Sequence, residues 1–204
     1  MAEVLLFHHV HGLTEGVRAF ASDLERAGHV VHTPDLYDGK VFDDPDSGAA
    51  HASETGFGTL VERGRAAAEG LPASLVLAGF SLGVLPAQNL AQTRPGVRGA
   101  LLFHSCLPVA EFGDAWPQGV PVQVHGMEDD ELFVAEGDLD AARALAASTP
   151  DAELFLYPGS AHLFADPSLP AYDAPSAALL LERTLAFLAA VDADGAAATS
   201  PAAG

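Results

Sequence analysis

Residues 74–90 read SLVLAGFSLGVLPAQNL, and this stretch decides how the rest of the chain is interpreted. It opens with a continuous apolar run at 75–78, which is typical of a strand buried on both faces of a sheet. The turn Gly-Phe-Ser-Leu-Gly follows at 79–83, and a helix-like segment comes after it. Glycine has no Cβ, so the two glycines allow a turn that is too sharp for larger residues. The pattern predicts a strand, a tight turn and a helix, with the hydroxyl of Ser81 exposed at the tip.

A strand, a Gly-x-Ser-x-Gly turn and a helix together form the nucleophile elbow of the α/β-hydrolases. The serine then lies at the positive end of the helix, which favours a developing oxyanion. The alternative is a structural turn with an unreactive serine, because a motif this short also arises by chance. Pro86 fits imperfectly, since it falls near the end of the first helical turn. A reactive Ser81 therefore requires suitable partners elsewhere in the chain.

Composition restricts the class of protein and its partners. The chain has 204 residues, 49% of them hydrophobic, which is enough for one globular domain with a substantial core. Its 28 acidic residues against 9 Lys+Arg give a net charge of −19, so we expect no nucleic acid and no membrane surface as a partner. No apolar run approaches the ~20 residues of a membrane span, and we recognise no signal peptide. Cys106 is the only cysteine, which excludes an internal disulfide framework and favours a cytoplasmic location.

Strand-like and helix-like segments alternate along the rest of the chain. The segment 12–28 has apolar residues at helical spacing and ends in glycine, as an amphipathic helix does. The acidic, turn-rich segment 37–53 predicts a surface loop. Strands are predicted at 3–9, 29–36, from 75 to the elbow, 97–105, 121–125 and 153–157, and the remaining helices at 54–69, from the elbow to about 93, 134–147 and 175–190.

This alternation predicts an α/β fold, because consecutive parallel strands need crossover connections. We expect an open, mostly parallel sheet of about six or seven strands with helices on both faces. Residues 1–191 are predicted to form a single domain. Residues 192–204 are rich in Ala, Gly, Ser and Pro without apolar periodicity, so they predict a disordered tail.

A serine nucleophile needs a histidine base, which a carboxylate orients. In α/β-hydrolases these residues follow the chain order nucleophile, acid, histidine. Sites in such sheets form at the carboxyl ends of the strands. Asp129 follows the strand that ends at His125, and His162 lies in the loop after the last strand, so this pair has the right order and place. Asp130 remains a rival to Asp129, because neighbouring turn residues can exchange roles.

The other histidines have simpler explanations. His104 and His125 are expected to be partly buried residues at strand ends. His8, His9 and His11 suggest a metal site, but no acidic or cysteine partner stands at ligand spacing. We therefore expect no metal, and we interpret these three histidines as packing near the active site.

With these residues identified, the chain resembles the dienelactone hydrolase family of α/β-hydrolases over most of residues 4–190. The resemblance rests on Gly12-Leu13, Pro34-Asp35-Leu36-Tyr37, the elbow at 79–83, Gly126-x-x-Asp129 and YPGSAHLF at 157–164. It implies Ser81 as nucleophile, Asp129 as acid and His162 as base.

The resemblance also implies that the backbone N–H groups of Val10 and Leu82 form the oxyanion hole and that no cofactor is needed. The chain departs from the family at three positions. Ser81 replaces the family's cysteine nucleophile, His9 replaces a glutamate that interacts with that cysteine, and Asp166 replaces an arginine that binds the substrate carboxylate.

We therefore expect a cytoplasmic serine hydrolase that cleaves a small carboxylic ester, thioester or lactone through an acyl-enzyme. The alternative is a non-catalytic binding or regulatory protein that keeps the fold. Asp166 is expected near the mouth of the pocket, where it would repel anions, so the sequence predicts a neutral substrate. Cys106 is expected to be structural, because it does not stand at an elbow between small residues.

Overall fold

Six parallel strands form one sheet in the computed structural model, in the order β2-β1-β3-β4-β5-β6. The structure describes the backbone of residues 1–199 and the side chains of residues 1–193. The strands are β1 (Glu3–Phe7), β2 (Val30–His32), β3 (Leu75–Phe80), β4 (Gly99–Phe103), β5 (Val122–Met127) and β6 (Ala152–Tyr157). The helices are α1 (Glu15–Arg26), α2 (Pro45–Thr55), α3 (Phe57–Ala68), α4 (Val84–Thr93), α5 (Glu131–Ala135), α6 (Asp138–Ser148) and α7 (Ala174–Thr199), with short 3-10 helices at Ser81–Gly83 and Val109–Glu111.

Helices cover both faces of this sheet. On one face α1 and α7 pack against it through residues such as Phe20 and Leu180. On the other face α2 to α6 pack through residues such as Leu60 and Leu90. All six residues of β3 are buried, and its five residues other than Gly79 alternate between the two cores, which is the physical reason for its continuous apolar run. The predicted α/β fold with a parallel sheet covered on both faces is confirmed.

The predicted loop 37–53 and the predicted helix 134–147 differ from the structure. The predicted loop 37–53 contains the start of α2, where the Asp44 side chain caps the helix by accepting from the Ser47 N–H and Pro45 occupies the first turn. Only Gly48 and Ala52 of α2 are buried, so the helix has no apolar stripe that periodicity could detect. The predicted helix 134–147 is divided into α5 and α6 at Gly137, whose φ is 94°.

The last helix, α7, is longer than predicted. Its segment Ala174–Ala193 is long and apolar enough to cross a membrane by length and composition alone. Leu180 and Leu188 of this segment are nevertheless fully buried against the sheet, as in a core helix of a globular domain. The helix enters the segment predicted as a disordered tail and ends at Thr199, while residues 200–204 of that tail lie outside the described residues.

Pro86 is accommodated by its place in α4 and by the helix beside it. It lies in the first turn of α4, where a backbone N–H has no intrahelical acceptor. A Cβ added to Gly64 of α3 would lie 2.4 Å from the Pro86 Cβ. The absence of a side chain at Gly64 therefore lets α3 approach α4 closely at the proline.

We predict that Gly64→Ala lowers the free energy of unfolding by about 1–3 kcal/mol, because the added methyl group overpacks the contact with Pro86. Gly58→Ala is the matched control in the same helix, since a Cβ there meets nothing within 4 Å. That change should stabilise the helix by up to about 1 kcal/mol. Urea unfolding followed by circular dichroism measures both effects, and equal responses of the two variants would contradict the packing argument.

Candidate active site

The turn between β3 and α4 holds Ser81 in a conformation that serine rarely adopts. Its φ is 47°, in the left-handed region. A Cβ added to Gly79 would lie 2.2 Å from the Gly83 carbonyl oxygen, and one added to Gly83 would lie 2.5 Å from the Phe7 carbonyl oxygen. No larger residue fits at either position without moving the backbone. The predicted strand, sharp turn and helix are therefore present, with Ser81 at the turn.

Ser81 is hydrogen-bonded to His162, as the chain order of the motifs predicts. The Ser81 Oγ lies 2.8 Å from the His162 Nε2, although 81 positions separate the two residues. β3 ends directly before Ser81, and His162 lies in the loop after β6. The His162 side chain is 18% exposed, so it combines a fixed position with access to solvent.

The carboxylate that contacts His162 is Asp130, and the prediction of Asp129 is wrong for this contact. Asp130 Oδ2 lies 2.6 Å from His162 Nδ1, and the Asp130 side chain is 2% exposed. Asp129 is exposed in the turn after β5, and its backbone N–H donates to the Gly159 carbonyl. The carboxylate that reaches His162 is one residue later than the motif Gly126-x-x-Asp129 predicts. The reason is that Glu128 and Asp129 are both exposed on the solvent side of the turn, whereas the side chain after them is buried.

Asp130 is held in place by the helix that follows it. It is the N-cap of α5, and its Oδ1 accepts from the Leu132 N–H. Its other oxygen accepts the Nδ1–H of His162, which leaves the Nε2 of a neutral imidazole to accept the Ser81 hydroxyl proton. Ser81, His162 and Asp130 thus form a continuous hydrogen-bonded series, called the Ser–His–Asp series below.

Two backbone N–H groups stand near this series without an acceptor among the described residues. Leu82 lies in the short 3-10 helix of the elbow, where the first N–H groups have no intrahelical partner. The N–H of Val10, in the turn after β1, also donates to no atom within the described part of the chain. Gly83 packs against the carbonyls of Phe7 and His8, so the elbow and the turn after β1 are in contact. Both predicted oxyanion donors are therefore free, within the described part of the chain, to donate a hydrogen bond to a ligand.

Asp166 is buried and does not line the mouth of a pocket, contrary to the prediction. It is 3% exposed, and its Oδ2 lies 2.7 Å from His9 Nε2. The hydroxyls of Thr14 and Ser168 and the Ser168 N–H also donate to this carboxylate. Burial by itself would raise the pKa of Asp166, but these hydrogen bonds outweigh it and lower the pKa to about 2.

Sequence reasoning missed this buried group because its members are distant along the chain. His9 and Asp166 are 157 positions apart, and neither stands in a recognised short motif with the other. One feature of the sequence could have indicated that the two residues are in contact, because both stand at positions where the chain departs from the family. The two departures meet in space, although nothing in the sequence connects them.

The remaining histidines act in packing and backbone contacts. His8 accepts the Leu36 N–H, and His125 contacts the Tyr157 hydroxyl at 2.8 Å. His104 is fully buried rather than partly buried, has a φ of 64°, and neither ring nitrogen has a hydrogen-bond partner within the described part of the chain. Burial lowers its pKa well below the usual value, so the ring is neutral beside His162. Residues 1–193 contain no group of His, Cys, Asp and Glu side chains that could hold a metal ion.

Cys106 lies outside the Ser–His–Asp series. It is fully buried, and its backbone N–H donates to Asp138. Burial, together with the nearby Asp138 carboxylate, raises the pKa of the thiol to about 12. A thiol that remains protonated and inaccessible is a poor nucleophile, which agrees with the structural role predicted from its position.

Comparison with solved structures supports the fold. A dienelactone hydrolase-like promiscuous phosphotriesterase from metagenomic libraries shares 20% identity, with a TM-score of 0.71, and the match covers 94% of this chain and 87% of that one. A cold-adapted esterase from an Arctic intertidal metagenomic library shares 22% identity, with a TM-score of 0.61, over 89% and 82% of the two chains. A Thermus thermophilus protein shares 20% identity, with a TM-score of 0.67, over 93% and 88%. Identities this low establish the α/β-hydrolase fold alone.

Sequence comparison identifies the family. No curated protein matches the chain at a significant level. A family model described as the dienelactone hydrolase family matches residues 1–191, which is almost the whole chain. The chain therefore belongs to the dienelactone hydrolase family and is a carboxylic ester hydrolase of that type.

Proposed function

We propose that this protein is a serine hydrolase that cleaves a small carboxylic ester, thioester or lactone through an acyl-enzyme on Ser81. The observation that carries the proposal is the Ser–His–Asp series, with distances of 2.8 Å and 2.6 Å between its hydrogen-bonded atoms. A serine hydroxyl is a weak nucleophile until an adjacent base removes its proton. The series supplies that base and a buried carboxylate to orient it.

Acylation begins when the Ser81 Oγ attacks the substrate carbonyl carbon and His162 Nε2 takes the hydroxyl proton. The imidazolium that forms is stabilised by Asp130, which accepts the Nδ1–H. The carbonyl oxygen becomes an oxyanion, and the N–H groups of Val10 and Leu82 donate to it. When the tetrahedral intermediate collapses, the bond to the leaving group breaks and His162 gives that group its proton.

Deacylation repeats these steps with water. His162 takes a proton from water, and the hydroxide oxygen attacks the carbonyl carbon of the acyl-enzyme. The bond to Ser81 then breaks, His162 returns the proton to the Ser81 Oγ, and the carboxylic acid leaves. One proton passes from Ser81 through His162 to the leaving group and another from water through His162 to Ser81, so the proposed chemistry requires no cofactor.

A neutral substrate suits the distribution of charge. No arginine or lysine among the described residues forms a hydrogen bond or ion pair with the Ser–His–Asp series. Asp166 occupies the position where the family has a carboxylate-binding arginine, and its own negative charge is satisfied by buried donors. A substrate carboxylate would lack a fixed cation there, in a protein with a net charge of −19.

We also propose a cytoplasmic location, which a single buried thiol suits. The competing function is a non-catalytic binding or regulatory protein that keeps the fold. A fluorophosphonate label with peptide mapping separates the two, because only an activated serine reacts. Modification of Ser81 supports the enzyme, whereas an unlabelled wild-type protein that is folded favours the binding protein.

We predict that Ser81→Ala and His162→Ala each reduce ester hydrolysis by about 10⁴-fold or more. The double variant should be hardly slower than either single variant, because the nucleophile and the base act as one unit. The measurement is kcat/KM for a short-chain nitrophenyl ester. Additive losses in the double variant would contradict the assignment.

The identity of the acid gives a second prediction. Asp130→Asn should reduce kcat by about 10²–10⁴-fold, because the amide no longer stabilises the imidazolium. Asparagine is also a good N-cap, so α5 and the stability of the fold should be retained. Asp129→Asn is the matched control and should stay within about 2-fold of the wild type. A larger loss from the Asp129 change than from the Asp130 change would overturn the assignment.

Substrate charge gives a third prediction. A neutral ester should be cleaved with a kcat/KM about 10-fold or more above that of a matched ester with a free carboxylate at low ionic strength. Raising the salt concentration should narrow this gap, because screening weakens the repulsion. Lys40→Gln tests whether the exposed lysine in the loop after β2 binds the substrate carboxylate. A preference for the carboxylate ester that this change removes would show that Lys40 binds the substrate.

A further inference from the structure

A second histidine–carboxylate pair lies beside the Ser–His–Asp series and takes no part in the chemistry above. His9 and Asp166 are 0% and 3% exposed, and His9 Nε2 lies 2.7 Å from Asp166 Oδ2. His9 belongs to the turn after β1, which also carries Val10. Asp166 belongs to the loop after β6, which also carries His162. The pair therefore connects the segment with the oxyanion donor to the segment with the base.

The hydrogen bonds define the protonation state of this pair. The His11 N–H donates to His9 Nδ1 at 3.3 Å, so the ring proton is on Nε2 and is donated to Asp166. Burial lowers the pKa of His9, although the Asp166 carboxylate opposes this effect, and the neutral ring suits both contacts. Asp166 remains ionised because three further donors from Thr14 and Ser168 satisfy it.

The surroundings of Asp166 are shaped for a carboxylate. A Cβ added to Gly16 would lie 1.5 Å from Asp166 Oδ1, so the first turn of α1 packs directly on the charged group. The positive end of α1 lies there and favours the negative charge. This close fit fixes the loop after β6 to the start of α1 as well as to His9.

The direction of the Val10 N–H depends on how His9 is held. In a trans peptide the C=O of one residue and the N–H of the next point in opposite directions. The His9 carbonyl accepts from the Gly12 N–H at 2.9 Å and from the His8 Nδ1–H at 2.8 Å. The Val10 N–H must then point away from these two donors. The His9 ring also accepts the His11 N–H, so the position of the ring is coupled to the turn that holds this peptide plane.

We propose that Asp166 and His9 form a positioning pair that aims the Val10 N–H at the oxyanion formed on the Ser81 adduct. The inference rests on the proposed function, because it assigns Val10 to the oxyanion hole of that reaction. Neither member of the pair touches the substrate, and both act through the backbone of the turn after β1. The loop after β6 thereby carries the base, His162, and also positions the oxyanion donor, Val10, through the contact between Asp166 and His9.

If the pair positions the oxyanion donor, its loss should weaken stabilisation of the transition state and leave binding of the ester almost unchanged. An oxyanion donor interacts with the tetrahedral intermediate more strongly than with the bound ester, so its misplacement lowers kcat and kcat/KM together. We expect Asp166→Asn to lower both by about 10–100-fold, with KM changed much less. The affinity for a boronic acid, which forms a tetrahedral adduct with Ser81, should fall by the same factor as kcat/KM.

Two substitutions of His9 separate its two contacts. In His9→Gln the amide nitrogen reaches the place of Nε2, so the donor to Asp166 is kept. In His9→Asn the amide oxygen takes the place of Nδ1, so the acceptor for the His11 N–H is kept and the link to Asp166 is lost. The asparagine variant should therefore match Asp166→Asn, and the glutamine variant should retain more activity. The double variant His9→Asn/Asp166→Asn should be no slower than either single variant.

The controls separate positioning from stability and from the proposed function. Fluorophosphonate titration counts competent sites, so that kcat refers to folded enzyme only. His32→Gln removes a partly exposed histidine–carboxylate contact of similar length, to Glu3, and should leave boronate affinity unchanged. If Asp166→Asn does not fold, the two His9 variants provide the test of the positioning role. Unchanged kcat and boronate affinity in folded His9→Asn would overturn the positioning pair alone, whereas full activity of Ser81→Ala would overturn the proposed function.

Discussion

The left-handed backbone of Ser81 is the constraint on which the rest of the site depends. Holding a non-glycine residue at a φ of 47° costs on the order of 1 kcal/mol or more of conformational free energy. Favourable packing around the turn must offset this cost. Gly79 lies against the carbonyl of Gly83, and Gly83 in turn lies against the carbonyl of Phe7 in the neighbouring strand. β3 is buried on both faces and paired on both edges, so the elbow cannot relax. The strained serine is therefore supported by a strand that is buried on both faces and paired on both edges.

The parallel sheet brings the partners of Ser81 to the same edge. β1, β3, β5 and β6 all end there, so the segments that follow them meet, although they are far apart along the chain. Each functional side chain is then fixed by a local device. Asp130 caps α5, and Asp166 is enclosed by donors from Thr14 at the start of α1 and from Ser168 in its own loop. The two carboxylates differ in their partners, because Asp130 contacts the partly exposed His162 whereas Asp166 contacts the fully buried His9.

Most of the architecture could be predicted from the sequence, because burial leaves a clear pattern. The continuous apolar run of β3 and the helical spacing in α1 both reflect which faces are covered. The helix α2 could not be predicted this way, since it has almost no buried face and is specified by its Asp44 cap. Asp130 could not be separated from Asp129, because a turn of this length places either residue past the strand end. Only the packing of the turn decides which carboxylate is buried.

The sequence by itself determined the elbow, the order of Ser81 and His162 along the chain, and the family, because these features are local or depend on order along the chain. Tertiary structure alone decided that His9 and Asp166 are in contact and that Asp166 is buried. Taken singly, they are a strand-end histidine and an acidic loop residue, and sequence reasoning placed Asp166 at the mouth of a pocket. In the folded chain they lie 2.7 Å apart, and the carboxylate is buried with its charge stabilised by hydrogen-bond donors. A contact between residues 157 positions apart depends on the topology of the sheet, which no local spacing records.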